Sequence, residues 1–163
     1  SSIGSRVTWK NLSSAIRIAA SAAEVLKSVH LEEEIHGDVK LENLMLDSDL
    51  QVWMIDFERT GFSVPFIPPE GLQASMPADA WTLGIVIFLI MMSTFEDVIP
   101  WLHFRSEGGY KDVMRRIDNF DTDLGDKVKA YEISRIVKGL LQKNEKDRMT
   151  VLKAAEALSK LVK

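Results

Sequence analysis

Residues 36–43, HGDVKLEN, bring an acid, an amine and an amide together between two apolar stretches. Carboxylates can accept protons, amines can offset negative charge, and carboxylate and amide oxygens can bind hard metal ions. A further carboxylate, Asp56, stands thirteen positions after Asn43 and directly before Phe57. Taken singly, Asp and Asn are ordinary turn residues. Asp38, Lys40, Asn43 and Asp56 are therefore candidates for a catalytic loop, with ordinary turn residues as the alternative.

The pattern of apolar residues predicts the elements that hold this loop. Helical spacing predicts a helix over 14–30, with Ser13 or Ser14 as its N-cap. Two short apolar runs around DSD predict a β-hairpin within 43–57, followed by a Pro-rich loop over 58–77. Further helices are predicted over 79–92, 110–118, 130–142 and after a Thr150 cap. We therefore expect a mainly α fold with a small β-hairpin, as a single domain over residues 1–163.

Composition narrows the class of protein. The chain has 163 residues, a formal net charge of −4 and no cysteine, which excludes disulfides and thiolate zinc sites. Charges of both signs are interspersed, so no basic face for nucleic acid is expected. The most apolar run, residues 81–92, is shorter than the roughly 20 residues that span a bilayer. No signal peptide is visible, and we expect an intracellular, cytoplasmic protein without a membrane partner.

Five motifs, in register along the chain, resemble the large C-terminal lobe of eukaryotic-type protein kinases. They are HGDVKLEN (36–43), IDFE (55–58), PPE (68–70), DAWTLG (79–84) and KNEKDRMTVLKAAEAL (143–158). A β-hairpin is expected between the first two, as the family requires. One such motif would be a weak signal, but five in order indicate a protein-kinase-like C-lobe.

The resemblance assigns roles to the loop and hairpin residues. It implies that Asp38 accepts the substrate hydroxyl proton and that Lys40 neutralises charge on the transferred phosphoryl group. Asn43 and Asp56 stand where the family holds Mg²⁺, and Met45 where an apolar residue lies beneath the adenine ring. Core packing is an equal alternative for Met45. Mg²⁺ and ATP are the cofactors that the resemblance implies.

Other residues match structural positions of the family. His36 resembles a histidine that packs on Phe57 and bonds the backbone near Asp79. Glu70 and Arg148 resemble a buried ion pair that ties the activation segment to the later helices, the alternative being two solvated surface charges. Removing one partner of a buried pair costs about 3–5 kcal/mol.

The chain also departs from the family pattern. Gly37 replaces the Arg that reads an activation-segment phosphate, so such phosphorylation is not expected to control this protein. Glu58 replaces the Gly of the D-F-G segment, where Gly permits backbone angles that Glu adopts only at a cost. Aligned on Asp38, residue 1 falls just past the hinge between the lobes. We therefore expect this chain to lack the N-lobe, and on its own to be an inefficient kinase.

These observations leave three functional hypotheses. The first is a non-catalytic binding or regulatory module, a pseudokinase related in architecture to stand-alone (KIND-type) C-lobes. The alternative is the C-terminal part of an active Ser/Thr-type kinase whose N-lobe is missing here or supplied in trans. The third is a decoy that blocks a real kinase. A protein partner or self-association is expected at the surface near Met45 and Phe57. Trp101 and Phe104 are a second candidate surface, with core packing as the slightly favoured alternative.

Overall fold

The computed structural model describes residues 12–39, 44–49, 51–54, 67–71, 73–92, 107–119 and 126–162. These residues form five helices and a two-stranded antiparallel sheet, so the predicted mainly α fold with a small hairpin is confirmed. In chain order the elements are α1 (Leu12–Leu31), β1 (Leu44–Leu46), β2 (Val52–Met54), α2 (Met76–Met92), α3 (Glu107–Asp118), α4 (Lys127–Leu140) and α5 (Val151–Val162).

Helix α1 begins earlier than predicted. Ser13 and Ser14 lie inside the helix, so the prediction that one of them is its N-cap is wrong. The physical reason is that the apolar stripe of α1 extends back to Leu12, which packs against the core. At the other end, the Glu34 N–H donates to the Val29 carbonyl at 3.1 Å and the Glu33 N–H to the His30 carbonyl at 2.9 Å. This is a Schellman motif, with Glu33 at φ 60 in the left-handed position.

The hairpin is short and fixed to α1. Leu44 pairs with Met54 and Leu46 with Val52, so the chain enters β1 and leaves β2 at the same end. In the turn, an Asp47 carboxylate oxygen accepts the N–H groups of Asp49 and Gln51. The Ser21 hydroxyl of α1 accepts the Val52 N–H at 2.8 Å, which holds the edge of the hairpin against the helix.

Helix α2 is the centre of the fold. It is apolar on every side, and nearly all its residues from Ala78 onward are buried. Helices α1, α4 and α5 pack around it, and α1 also packs extensively on α5. The helix starts after Ser75, whose hydroxyl accepts the Ala78 N–H at 3.0 Å. Among the described residues no helix combines the length and apolarity needed to span a bilayer.

The last two helices begin at side-chain caps. Asp126 accepts the Lys129 N–H at 3.1 Å at the start of α4. The predicted Thr150 cap is confirmed, since its hydroxyl accepts the Lys153 N–H at 3.2 Å. Helices α2 and α4 approach closely at Gly84, where an added Cβ would lie 2.9 Å from the Leu140 Cβ. A side chain at Gly84 would therefore force the two helices apart.

Candidate functional site

Asp79, in the first turn of α2, anchors the segment that contains the loop motif. One carboxylate oxygen, Oδ2, accepts the His36 N–H and lies 2.8 Å from Nε2 of His30. The other oxygen, Oδ1, accepts the Gly37 N–H at 2.9 Å. The Asp79 and His30 side chains are both buried. A single buried carboxylate therefore joins α1, α2 and the loop, and its hydrogen bonds satisfy backbone groups that would otherwise be buried unpaired.

The loop itself turns tightly between His36 and Asp38. Gly37 has φ 84, a left-handed conformation that glycine adopts without the steric cost of a Cβ. Nδ1 of His36 accepts the Asp38 N–H at 3.1 Å, so the histidine ring braces the residue two positions ahead. Asp38 is only 3% exposed. The backbone of Asp38 is thus fixed to His36, and through the His36 N–H to Asp79.

The remaining loop and hairpin candidates are only partly within the described residues. Lys40, Asn43, Asp56 and Phe57 lie outside them, as do Glu58, Trp101 and Phe104. Met45 lies in the middle of β1, opposite Trp53. Within the described ranges, no group of three or more His, Cys, Asp or Glu side chains is arranged to hold a metal ion.

Glu70 and Arg148 form a bidentate ion pair across 78 residues of sequence. The guanidinium Nη1 and Nη2 lie 2.7 and 2.8 Å from the two Glu70 carboxylate oxygens. Arg148 also donates to the carbonyls of Pro77 and Gln142, at 2.8 and 2.9 Å. The Arg148 side chain is fully buried, whereas that of Glu70 is 22% exposed. The pair therefore ties the segment before α2 to the turn between α4 and α5.

Opposing effects act on the Glu70 carboxyl. Its partial burial acts to raise the pKa, because burial disfavours the charged form. The hydrogen bond from Arg148, a backbone hydrogen bond and the Arg148 charge act in the opposite direction. Together they hold the pKa of Glu70 below its ordinary value of 4.5. The pair is therefore ionic at neutral pH.

An aromatic stack continues from this ion pair. The Arg148 guanidinium lies 5.2 Å from the centre of the Trp81 ring, which stacks on Tyr110 at 6.2 Å with planes 7° apart. The Tyr110 hydroxyl donates to the Leu141 carbonyl at 2.7 Å, and the Lys143 ammonium lies 4.5 Å from its ring. Helix α3 is thereby fastened to α2 and to the turn after α4.

Three residues of these networks, His30, Trp81 and Tyr110, are not among the site residues predicted from the sequence. His30 falls four residues after buried Leu26 on the apolar stripe of α1, which indicates an inward-facing histidine. The sequence predicts only that Trp81 belongs to the motif DAWTLG and that Tyr110 starts a helix. Their stacking depends on how α2 and α3 meet, and no local pattern in the sequence encodes that contact.

Comparison with known proteins places these features in context. Residues 8–160 match the family described as "Protein kinase domain". Calcium-dependent protein kinase 24 of Arabidopsis thaliana is 26% identical over 87% of the chain, and RAC-beta serine/threonine-protein kinase of Rattus norvegicus is 26% identical over 80%. Aurora kinase of Schizosaccharomyces pombe is 27% identical over 79%. The chain spans 26%, 28% and 38% of the lengths of these three relatives.

Proposed function

The chain belongs to the protein kinase domain family, and from this premise we propose that it is the catalytic-loop half of a Ser/Thr-type kinase. It would transfer a phosphoryl group from ATP to a protein hydroxyl, with Asp38 accepting the hydroxyl proton. The groups that bind the other side of ATP would come from further polypeptide or from a second chain. The observation that carries the proposal is the anchoring of residues 36–38 on Asp79.

This anchoring supports catalysis through positioning. Phosphoryl transfer needs little covalent chemistry from the protein, and rate depends on groups held in place before the reaction. Two backbone N–H groups of the loop are bound to one buried carboxylate, so the backbone that leads into Asp38 has little freedom. The His36 ring then fixes the Asp38 N–H itself. The buried Asp79 carboxylate thus holds this one loop in place.

Mg²⁺ and ATP would bind beside the same loop. The pairing of Leu44 with Met54 brings the start of β1 beside the end of β2. In the sequence, Asn43 directly precedes β1 and Asp56 stands two positions after β2. Amide and carboxylate oxygens are ligands that suit magnesium. When bound, the metal would offset the negative charge of the phosphates. Lys40 would contribute a further positive charge, and Met45 an apolar contact for the base.

The direct test is phosphate transfer from radiolabelled ATP, with Mg²⁺, by the longest natural protein that contains this chain. Asp38→Asn keeps the size of the side chain and removes the base, so transfer to Ser and Thr peptides is expected to fall by about 10²–10⁴-fold. Asp49→Asn makes the same chemical change in the exposed hairpin turn and serves as the matched control. Equal transfer by wild type and Asp38→Asn would overturn the proposal.

A second candidate function is a non-catalytic binding module, and two observations favour it. Asp38 is almost completely buried, and Gly37 stands where the family has an Arg. Such a module would use a protein partner or self-association near Met45 and Phe57. A thermal shift separates the two, because a ligand at 100 times its Kd stabilises a fold by about 2.7 kcal/mol. If Mg²⁺ and ATP raise the melting temperature of wild type but not of Asp56→Ala, the result favours the kinase. If they do not raise it in wild type, the result favours the module.

A further inference from the structure

A groove lies between α3 and α4, lined by the last two residues of α3 and by one face of α4. Its volume is about 480 Å³. Ile117 of α3 and Ala130 of α4 lie beneath it and are fully buried, whereas the Tyr131 ring on its wall is 62% exposed. Polar and charged side chains, among them Lys127, Ser134 and Arg135, line its sides. The groove is therefore large enough for an apolar side chain and has polar walls to orient it.

The charge of α4 opposes that of the whole chain. The helix carries four cationic residues and one anionic residue, a net charge of +3, although the chain as a whole carries −4. Lys138 is already bound to Asp118 of α3. Lys127 has no ion-pair partner among the described residues. Nη1 of Arg135 lies 3.6 Å from Oε2 of Glu132, and both of these side chains are exposed to solvent. Lys127 and Arg135 are thus available to an anionic ligand.

Two large apolar side chains stand exposed beside these cations. Val128 is 74% exposed and Tyr131, three residues on, is 62% exposed. Residues three apart in a helix are neighbours on its surface, so the two form one patch, and Tyr131 of this patch lines the groove. Tyr and Arg are enriched in protein interfaces, where a rigid ring covers apolar surface and a charge gives direction.

We infer that this α3–α4 groove is a docking site for an acidic segment of a partner protein, with one apolar side chain of that segment packed against the exposed ring of Tyr131. Charge complementarity identifies the occupant. A membrane or a nucleic acid would face a broad area of a chain whose net charge is −4. A short peptide senses only charges within about 8 Å at physiological salt, and the groove lining carries three cations against one anion, Asp118. The inference goes beyond the proposed function and does not depend on phosphate transfer.

Fluorescence anisotropy with a labelled peptide, one leucine flanked by glutamates, tests the site in the longest natural protein that contains this chain. The double variant Lys127→Glu, Arg135→Glu is expected to raise the Kd at least roughly tenfold, because it places like charges opposite the peptide. Lys153→Glu with Lys160→Glu makes the same change in net charge on α5, and its Kd is expected to stay near that of wild type. Tyr131→Ser is expected to weaken binding without a change in charge.

Several results would overturn the docking site. Equal weakening by the two double variants would mean long-range attraction alone, and an unchanged Kd in Tyr131→Ser would exclude the rim of the groove. Absence of peptide binding together with α4-dependent binding to phosphatidylserine vesicles or single-stranded DNA would assign the face to another class of partner. A peptide with lysines in place of glutamates is expected to prefer the charge-reversed α4 variant, which shows that this variant is folded.

Discussion

The Arg148 guanidinium donates hydrogen bonds to both carboxylate oxygens of Glu70, at 2.7 and 2.8 Å, and it also donates to the carbonyl oxygen of Pro77. Its buried charge is therefore matched by one anion and by carbonyl groups from two parts of the chain. Loss of the anion, or of the cation, would leave the remaining groups without partners. Truncation of either side chain is therefore expected to destabilise the fold.

Arg148→Ala is expected to lower the free energy of unfolding by about 3–5 kcal/mol, because it leaves Glu70 without its partner and unpairs the carbonyls. Urea unfolding followed by circular dichroism measures the change. Arg135→Ala removes an arginine from an exposed pair with Glu132 and is the matched control, with an expected loss under about 1 kcal/mol. Similar losses in the two variants would contradict a structural role for the Glu70 pair.

The stability that Glu70 contributes depends on pH in a defined direction. Its pKa is lower in the folded chain than its ordinary value of 4.5, so folding favours the ionised carboxylate. This stabilisation is fully present above pH 4.5 and is lost as the pH falls through the folded pKa. Wild type is therefore expected to be more stable than Glu70→Gln at neutral pH, with the difference shrinking below pH 4.5. A difference independent of pH would contradict this assignment.

Gly84→Ala tests the close approach of α2 and α4. The new Cβ would lie 2.9 Å from the Leu140 Cβ, which is bonded directly to the backbone of α4 and cannot rotate away. Overpacking of this kind costs about 1–3 kcal/mol, measured as a drop in the unfolding midpoint. Gly108→Ala is the control, since an added Cβ there meets nothing within 4 Å. Its stability is expected to be unchanged or slightly higher, because alanine favours helix.

Asp79→Ala is expected to loosen the loop as well as to destabilise the fold. It removes the acceptor of the His30 side chain and of two loop N–H groups, and a buried unpaired donor costs about 1–3 kcal/mol. Amide hydrogen exchange at His36 and Gly37 is expected to accelerate more than exchange in α5. Asp47→Ala also removes the acceptor of two backbone N–H groups, but in an exposed turn that water can solvate. An equal loss of stability in Asp47→Ala would show that burial of Asp79 is not the cause of the loss in Asp79→Ala.

Glu33→Gly is expected to raise stability, which is unusual for a substitution to glycine. Glu33 has φ 60, and a left-handed conformation costs a residue with a Cβ about 1–2 kcal/mol. The greater freedom of glycine in the unfolded chain offsets part of this gain. Glu34→Gly removes the same charge one position later, without a positive φ, and is expected to lower stability. Thermal unfolding of both variants measures the difference.

Much of this fold could be predicted because its signals are local. The helical spacing of α1, the turn between β1 and β2, and the Thr150 cap each involve residues within a few positions of one another. The buried state of α2 follows from its apolar composition on every side. The prediction of an N-cap at Ser13 or Ser14 is wrong because a cap preference is a local signal. The packing of Leu12 against the core extends the helix past both serines.

The long-range contacts of the site could be predicted only where the family pattern supplied them. Glu70 and Arg148 were paired through the resemblance, because nothing local relates residues 78 positions apart. His30 and Asp79 are 49 positions apart and meet only because α1 crosses the start of α2. The same holds for the ring of Tyr110, whose partner depends on the placement of α3.

The central position of α2 has a consequence during protein synthesis. The helix is apolar all round, but α4 and α5, which cover two of its sides, leave the ribosome after it. At roughly 5–20 residues per second, the 70 residues that follow Met92, up to Val162 at the end of α5, take roughly 4–14 s to translate. During that interval the nascent chain exposes its most hydrophobic segment. We expect the growing polypeptide to recruit chaperones at α2 until its C-terminal helices emerge.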